Sequence, residues 1–177
     1  MKILLSIAVI TCMSISCLLF YASTRPHNIS LERSTAINAP ASMVFALIND
    51  FRLWTWSPWE GIDPSMTRSY TGAAAGVGSI YKWEGNRKVG SGRMEMLQSQ
   101  APSNILIQLD FFKPFAANNR TEFNLTESAG VTTVIWRMHG PQPFVAKLMG
   151  AVSSIEKMVG PDFEKGLAAL KALAEHA

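Results

Sequence analysis

The sequence predicts an α+β fold in which an antiparallel sheet covers one side of a long C-terminal helix. Between residues 66 and 139, apolar and polar side chains alternate with a period of two, and short breaks containing Gly or Pro separate the segments. From Pro141 to Ala177, apolar residues instead recur every three or four positions, which is the spacing of one stripe on a helix. Because such a stripe must be buried, we expect the helix to pack on the sheet.

An uncharged segment, residues 3–22, follows Lys2 near the N-terminus. Twenty helical residues rise by about 30 Å, the thickness of the hydrocarbon core of a bilayer. Three interpretations compete: a membrane anchor, a cleaved signal peptide and a lipoprotein signal. Cleavage requires a small residue where Phe20 or Tyr21 stands, and the apolar run continues beyond Cys17. We therefore expect a transmembrane helix that anchors the protein to a membrane through residues 3–22.

This interpretation divides the chain into residues 1–24, the anchor or signal segment, and residues 25–177, one folded domain. We expect a single-pass membrane protein, in the bacterial inner membrane with the domain facing the periplasm. Both cysteines, Cys12 and Cys17, precede the domain, which therefore has no disulfide. The net charge of +3 comes from scattered residues, which argues against nucleic acid as a partner. The sequence does not indicate an oligomeric state.

The domain begins with a loosely alternating segment, residues 29–38, which we expect to form a first strand. Pro40 suits the first turn of a short helix that continues to about Asn49. The aromatic segment 51–64 is expected to form a second short helical turn followed by a loop. Six further strands are predicted near residues 66–71, 79–85, 88–99, 104–112, 119–127 and 131–139. Their short connections imply an antiparallel meander, which with the first strand gives about seven strands.

The C-terminal helix has a defined apolar stripe and a polar outer face. The stripe comprises Leu148, Val152, Ile155, Val159, Phe163, Leu167, Leu170 and Ala174. The charged residues expected to face water are Lys147, Glu156, Glu164, Lys165, Lys171 and Glu175. Pro161 cannot donate a helical hydrogen bond, so we expect a kink or a break at Gly160 and Pro161.

Five sequence fragments occur in an order that resembles a known family. They are NAPASMVF at residues 38–45, WTWSPWEGIDP at 54–64, GVGSIYKWEGN at 76–86, KVGSGRME at 88–95 and DFEKGLAALK at 162–171. Residues 29–175 thereby resemble the polyketide cyclase/dehydrase-like branch of the SRPBCC superfamily, the helix-grip fold shared with START lipid-transfer domains and the birch pollen allergen. The resemblance implies a curved sheet that wraps around the long helix and encloses an elongated, mostly apolar cavity. It leaves the activity open, since members carry ligands, cyclise or dehydrate substrates, or activate chaperones.

Large apolar side chains on the predicted inner face are the candidate ligand-binding residues. Indole rings and thioethers suit irregular apolar ligands, although both also fill ordinary cores. The candidates are Trp59, Trp83, Met94, Met96, Ile107, Leu109, Phe123, Trp136, Met138, Ile155 and Val159. We expect Trp54 and Trp56 to seal the short helices onto the sheet.

The sequence carries few groups that suggest catalysis. It lacks the HExxH, CxxC and GxSxG motifs, so we assign no catalytic residue, metal site or cofactor. The acidic and basic residues that could enter the cavity are Asp50, Glu60, Glu84, Glu95, Asp110, Arg93, Arg120 and Arg137. Arg93 or Arg137 with Glu95 could act as acid and base. Alternation, however, places these residues on the solvent-exposed face of the sheet, where a cross-strand ion pair is expected.

Three functions follow from these observations. The first is binding of a small hydrophobic or lipid-like molecule between the sheet and the C-terminal helix, at a membrane and without catalysis. The second is a cyclase/dehydratase-type enzyme that acts on an apolar, polyketide-like substrate. The third is an interaction protein whose core is filled by its own side chains and whose loop at residues 59–64 docks a partner.

Overall fold

The computed structural model describes residues 2–142, 147–148 and 155–176, and it confirms the α+β prediction. The helices are α1 (Lys2–Ser23), α2 (Ala41–Asn49), a 3-10 helix (Phe51–Trp56) and α3 (Ile155–Glu175). The strands are β1 (Asn28–Ile37), β2 (Thr67–Gly72), β3 (Ser79–Glu84), β4 (Ser91–Gln100), β5 (Asn104–Lys113), β6 (Ala117–Ser128) and β7 (Val131–Pro141). Helix α1 is long and apolar enough to cross a membrane, a property that N-terminal signal sequences share.

The seven strands form one antiparallel sheet in the order β1-β7-β6-β5-β4-β3-β2. Strands β2 to β7 therefore form the predicted meander, and β1 joins it at the far edge by pairing with β7. One predicted boundary is wrong, because β4 begins at Ser91 and not near residue 88. The preceding loop, residues 85–90, is closed on itself: Gly85 N donates to Gly90 O at 2.9 Å, and Gly90 N donates to Asn86 O at 2.7 Å.

The stripe of α3 packs on the inner face of the sheet. Phe163, Leu167, Leu170 and Ala174 are buried in the hydrophobic core, and Val159 is partly buried against it. The helix is continuous through Pro161, so the break that the sequence suggested is absent. A proline inside a helix costs about 3 kcal/mol, whereas each large side chain buried on the sheet contributes about 1.5–3 kcal/mol. Packing on the sheet therefore outweighs the lost hydrogen bond.

Polar contacts fix α3 along the edge strand β1. Arg33 pairs with Glu156 and Glu164, each at 2.8 Å. Near the other end of α3, Glu175 Oε1 accepts a hydrogen bond from Asn38 N at 2.7 Å. The helix thus runs in the same direction as β1, with its C-terminus at the end of that strand.

Two side chains of the predicted stripe lie outside the described residues, and one charged residue of the predicted C-terminal helix departs from the expected pattern of exposed charges. Val152 and the side chain of Ile155 lie outside the described residues. Lys147 was expected to face water, but only 5% of its surface is exposed. Its Nζ atom lies 3.1 Å from His27 Nδ1, a contact 120 residues apart in sequence that the helical pattern alone could not reveal.

Helix α2 and the 3-10 helix are fixed to each other by two tryptophans. Trp54 Nε1 donates to Ile48 O at 2.9 Å, and Trp56 Nε1 donates to Leu47 O at 3.3 Å. Both indoles are buried. They seal the short helices onto the sheet as expected, and the chain after Trp56 is thereby directed across the inner face.

A buried carboxylate connects the segment after the 3-10 helix to the loop at residues 85–90. Asp63 is buried, and it accepts hydrogen bonds from Ser65 Oγ at 2.7 Å, Ser65 N at 3.0 Å and Asn86 N at 2.7 Å. The bond from the Ser65 hydroxyl, followed by the one from Asn86 N, lowers the pKa of Asp63. A lowered pKa in the folded state means that the ionised carboxylate stabilises the fold.

We expect Asp63→Asn to lower the melting temperature at pH 7, and we expect this difference to shrink in acid. The contribution of the ionised carboxylate is fully present above its unfolded pKa, near 3.8, and it is lost as the pH falls through the lower folded value. Thermal melts of both proteins between pH 7 and pH 2.5 measure the difference. Asp162→Asn is the control, since Asp162 pairs with Lys165 on the surface of α3 at 3.9 Å. A difference that does not change with pH would contradict the prediction.

Candidate functional site

A cavity of about 310 Å³ lies between the inner face of the sheet and α3. This volume is at the lower end of the range for small-molecule sites. Its walls come from strands β3 to β7, from the start of β1, from the segment after the 3-10 helix and from α3. The predicted candidates that line it are Trp59, Trp83, Met94, Leu109, Trp136, Met138 and Val159.

The other candidates lie elsewhere. Met96, Ile107 and Phe123 are almost completely buried in the core, deeper along the same face of the sheet. Alternation identified the correct face, but it could not show at which depth the helix closes onto it. Ile155 is part of α3, and its side chain lies outside the described residues. A ligand-binding role for any of these residues stays a prediction.

Trp136 forms the floor of the cavity where the sheet meets the helix. Its ring stacks on Phe163 with centroids 3.9 Å apart, and the edge of Trp59 approaches it at 6.1 Å. Its Nε1 donates to Thr121 Oγ1 at 2.7 Å, and this hydroxyl in turn donates to Arg137 O at 3.2 Å. Because its N–H is already bonded within the protein, the indole can offer an apolar surface to a ligand.

A second aromatic wall runs across the neighbouring strands. Tyr81 stacks on Trp83 with centroids 5.9 Å apart, and Trp83 meets the edge of Phe111 at 5.8 Å. The ring of Trp83 lies over Gly92 on the adjacent strand, where a Cβ atom would come within 2.4 Å of it. Only glycine at position 92 leaves room for the indole. The indole Nε1 of Trp83 donates to Val89 O at 3.4 Å.

A polar cluster of Glu60, Arg68 and Tyr81 lies beside this wall. Tyr81 Oη donates to Glu60 Oε1 at 2.7 Å, and Arg68 Nε donates to Glu60 Oε2 at 2.6 Å. Burial, and then the hydrogen bond to Glu60, raises the pKa of Tyr81 far above its usual value. The hydrogen bond to Glu60 also raises the pKa of Arg68. The phenol therefore stays neutral and the guanidinium charged, which makes the cluster a fixed part of the wall.

Sequence analysis proposed Glu60 but not its partners. Tyr81 shares one face of β3 with Trp83, whereas Arg68 lies on β2. Only the pairing of β2 with β3 brings Arg68 close to Tyr81. The remaining acidic and basic candidates do not line the cavity. Arg93 pairs with Glu95 within β4 and, across to β5, with Asp110 at 3.8 Å. Arg137 pairs with Glu32 of β1 and not with Glu95.

Asn119 is a buried polar residue of the lining with unused hydrogen-bonding capacity. It is buried, and among the side chains that the structure describes its Oδ1 atom has no hydrogen-bond partner. Its Nδ2 atom has only a weak acceptor, Met138 Sδ at 4.0 Å. Gly140 on the paired strand leaves space for the amide, since a Cβ there would lie 2.2 Å from Oδ1. An unsatisfied buried amide costs about 1–3 kcal/mol, so this position favours a polar atom of a ligand.

The cavity opens at one end of the sheet. Its solvent-exposed lining residues are Lys88, Lys113 and Pro114. Lys88 belongs to the loop at residues 85–90, and the other two lie at the turn between β5 and β6. We call this end, which also contains the start of β1 and the end of β7, the open end of the sheet.

Ligation of a metal needs several donor side chains in one place. Among the described residues, His, Cys, Asp and Glu side chains form no group of three or more that could hold a metal ion.

Comparison with solved structures identifies the same fold in proteins of very different sequence. A protein from Chromobacterium violaceum has 17% identity and a TM-score of 0.57, with 85% of this chain and 99% of that chain covered. The di-domain ARO/CYC protein BexL from the BE-7585A biosynthetic pathway has 14% identity and a TM-score of 0.61, with 98% and 60% covered. Ara h 8.0201 has 9% identity and a TM-score of 0.60, with 85% and 99% covered. At these identities the likeness shows the fold alone.

Comparison of the sequence gives the family. No curated protein matches the chain. The model of the family described as polyketide cyclase / dehydrase and lipid transport matches residues 28–175, which include every strand and all of α3. This match confirms the resemblance that the five fragments suggested. The chain belongs to the polyketide cyclase / dehydrase and lipid transport family.

Proposed function

We propose that this protein binds a small apolar or lipid-like molecule in the cavity between the sheet and α3, and that α1 anchors it to a membrane. The observation that carries the proposal is the cavity of about 310 Å³, whose walls are mostly aromatic and thioether side chains. The polar atoms of Tyr81, Trp83 and Trp136 are already bonded within the protein. Binding of an apolar ligand to such walls is favourable, because it removes apolar surface from water. Membership of a family that includes lipid transport supports the same function.

Asn119 gives the proposed ligand one polar feature. Its amide lies in an otherwise apolar region and has unused hydrogen-bonding capacity. A ligand with one hydroxyl group could donate a hydrogen bond to Asn119 Oδ1 while its apolar part contacts Trp136 and Met138. We therefore favour an amphiphilic molecule over a pure hydrocarbon.

The second candidate, a cyclase/dehydratase-type enzyme, depends on Glu60. It is the carboxylate in the described lining, and both of its oxygens already accept hydrogen bonds from Tyr81 and Arg68. To take a proton from a substrate, Glu60 would have to give up one of these bonds. We therefore favour binding without catalysis. The third candidate, a filled core, is disfavoured by the cavity itself.

Native mass spectrometry of purified residues 25–177 tests the proposal, because this segment contains the whole family match. We expect an additional mass that is lost on denaturation, or saturable binding of an apolar fluorescent probe such as N-phenyl-1-naphthylamine. Val159→Phe, which adds volume inside the cavity, is expected to weaken binding of the probe about tenfold, or 1.4 kcal/mol.

Leu173→Phe is the matched control, because Leu173 lies on the same helix, is exposed and does not line the cavity. Its affinity for the probe should equal that of the wild type. Equal affinity in all three proteins, or no binding at all, would refute a ligand site in this cavity.

Asn119→Leu is expected to stabilise the ligand-free protein by about 1 kcal/mol, because the substitution removes an unsatisfied buried amide. For a domain of this size, the melting temperature should rise by about 2–4 °C. The same variant should bind decanol more weakly than the wild type does, relative to decane, in displacement of the apolar probe.

The control for this substitution is Asn124→Leu on the outer face of the same strand. Asn124 Oδ1 accepts a hydrogen bond from Asn104 Nδ2 at 2.8 Å, so its replacement should not stabilise the protein. A fall in the melting temperature of Asn119→Leu would show that the amide is already satisfied, and it would contradict this account of the polar feature.

A further inference from the structure

The tether between α1 and the sheet is very short. Thr24 N and Arg25 N still donate to the carbonyl oxygens of Phe20 and Ala22, at 3.2 and 3.3 Å. His27 O already accepts a hydrogen bond from Gln142 N at 2.7 Å, next to the end of β7. Pro26, between these two bonded segments, has a restricted backbone. The tether therefore holds the start of β1 close to the end of α1.

This length limits how far the sheet can lie from a membrane. From Ser23 to Asn28 the chain can span at most about 18 Å. The headgroups occupy about 5–8 Å on each side of the hydrocarbon core. If residues 3–22 cross the core, the start of β1 lies within about 13 Å of the headgroup surface.

Sheet topology places the mouth of the cavity, which is the opening beside Lys88, Lys113 and Pro114, at the same end of the sheet as the start of β1. Asn28 pairs with Pro141, and successive antiparallel pairings continue from the end of β7 to the start of β6, the end of β5 and the start of β4. The start of β1 and the exposed lining residues Lys88 and Lys113 therefore share the open end of the sheet. A tether that holds β1 at a membrane also holds the mouth there.

The side chains at the open end suit a membrane interface. Phe112 and Phe115, beside the β5–β6 turn, are 56% and 57% exposed. Exposed apolar side chains that lie together mark protein or membrane interaction sites, and phenylalanine is among the apolar residues that bury at the boundary between headgroups and acyl chains. Arg87, Lys88 and Lys113 are exposed around them, and Lys113 also pairs with Glu84 at 2.9 Å. Basic side chains near a membrane are attracted to anionic headgroups.

We propose that the open end of the sheet docks on the bilayer that α1 crosses, with Phe112 and Phe115 inserted at the interface and Arg87, Lys88 and Lys113 on anionic headgroups. The cavity then opens towards the lipid, and a lipid-like ligand passes between bilayer and cavity without crossing bulk water. This inference rests on the proposed anchoring and ligand binding, and it adds the partner surface and the route of the ligand.

The test uses the full chain, with Cys12→Ser and Cys17→Ser, in vesicles of three parts phosphatidylcholine to one part phosphatidylglycerol. One protein carries Phe115→Cys, labelled with the environment-sensitive fluorophore NBD. The matched control carries the same label at Val77→Cys, because Val77 is also exposed and apolar but lies in the loop between β2 and β3 at the opposite end of the sheet. Nitroxide-labelled lipids serve as quenchers.

We expect a blue-shifted emission and loss of intensity through the lipid quencher for the label at position 115, and a solvent-like emission for the label at position 77. Equal emission from both sites, or quenching at position 77 alone, overturns the docking. Flotation of the same samples separates the two proposals. A chain that floats with the vesicles without quenching at position 115 refutes the docking alone, whereas a chain that does not float refutes the anchoring and the docking together.

A second variant separates docking from ligand binding. Phe112→Ser with Phe115→Ser changes residues that do not line the cavity, so the affinity of residues 25–177 for the apolar probe in solution should match that of the wild type. Transfer of the probe from vesicles to the full-length variant should be slower than transfer to the wild type. Unchanged transfer would overturn the proposed route. Weakened affinity in solution would also overturn it, because it would place these residues in the site itself.

Discussion

The stacking of Trp136 on Phe163 is the contact on which the arrangement of sheet and helix depends. It joins the centre of β7 to α3 with ring centroids 3.9 Å apart. On one side of this pair the helix closes tightly onto the sheet, and Leu167 and Leu170 are buried. On the other side the helix and the sheet enclose the cavity. The same contact therefore ends the core and forms the floor of the site.

The distribution of polar bonds around the cavity is informative about its chemistry. Tyr81, Glu60 and Arg68 satisfy one another, and Thr121 both accepts and donates a hydrogen bond. Buried groups that are satisfied in this way are rigid. Displacement of one partner by a substrate would be unfavourable, because a hydrogen bond would be lost. Within the described part of the chain, Asn119 Oδ1 has no such partner. This contrast favours a site that orients a ligand through one polar contact over a site that moves protons.

Periodicity and turn chemistry were sufficient to predict the elements and the α+β class, whereas the curved sheet around the helix was implied by the family resemblance. The period of two located the strands, Gly and Pro located the turns, and the period of 3.6 located α3 and its buried face. These signals are local, so they did not reveal contacts made between distant segments. Lys147 is buried and meets His27, and Arg137 pairs with Glu32 because β1 returns to the sheet beside β7.

The candidate site could be predicted only to the level of a face of the sheet. Alternation places Met94, Met96, Ile107 and Leu109 on the same face, but Met94 and Leu109 line the cavity whereas Met96 and Ile107 lie in the core. The difference is depth along the strand, which depends on where α3 approaches the sheet. The contact of Trp136 with Phe163 sets that depth, and the local sequence around either residue does not identify this contact.

The direction of α3 bears on the proposed anchoring of the chain through α1. The helix runs alongside β1, and its last turn is bonded to the far end of that strand, through Glu175 to Asn38 N and Lys171 to Ala36 O. At that end Gly76 N donates to Asn49 O, so α2 is fixed to the loop between β2 and β3. A tether attached after α3 would hold this covered end against a bilayer. If α1 crosses a bilayer as proposed, a tether attached before β1 would bring the exposed lining residues Lys88 and Lys113 towards the lipid.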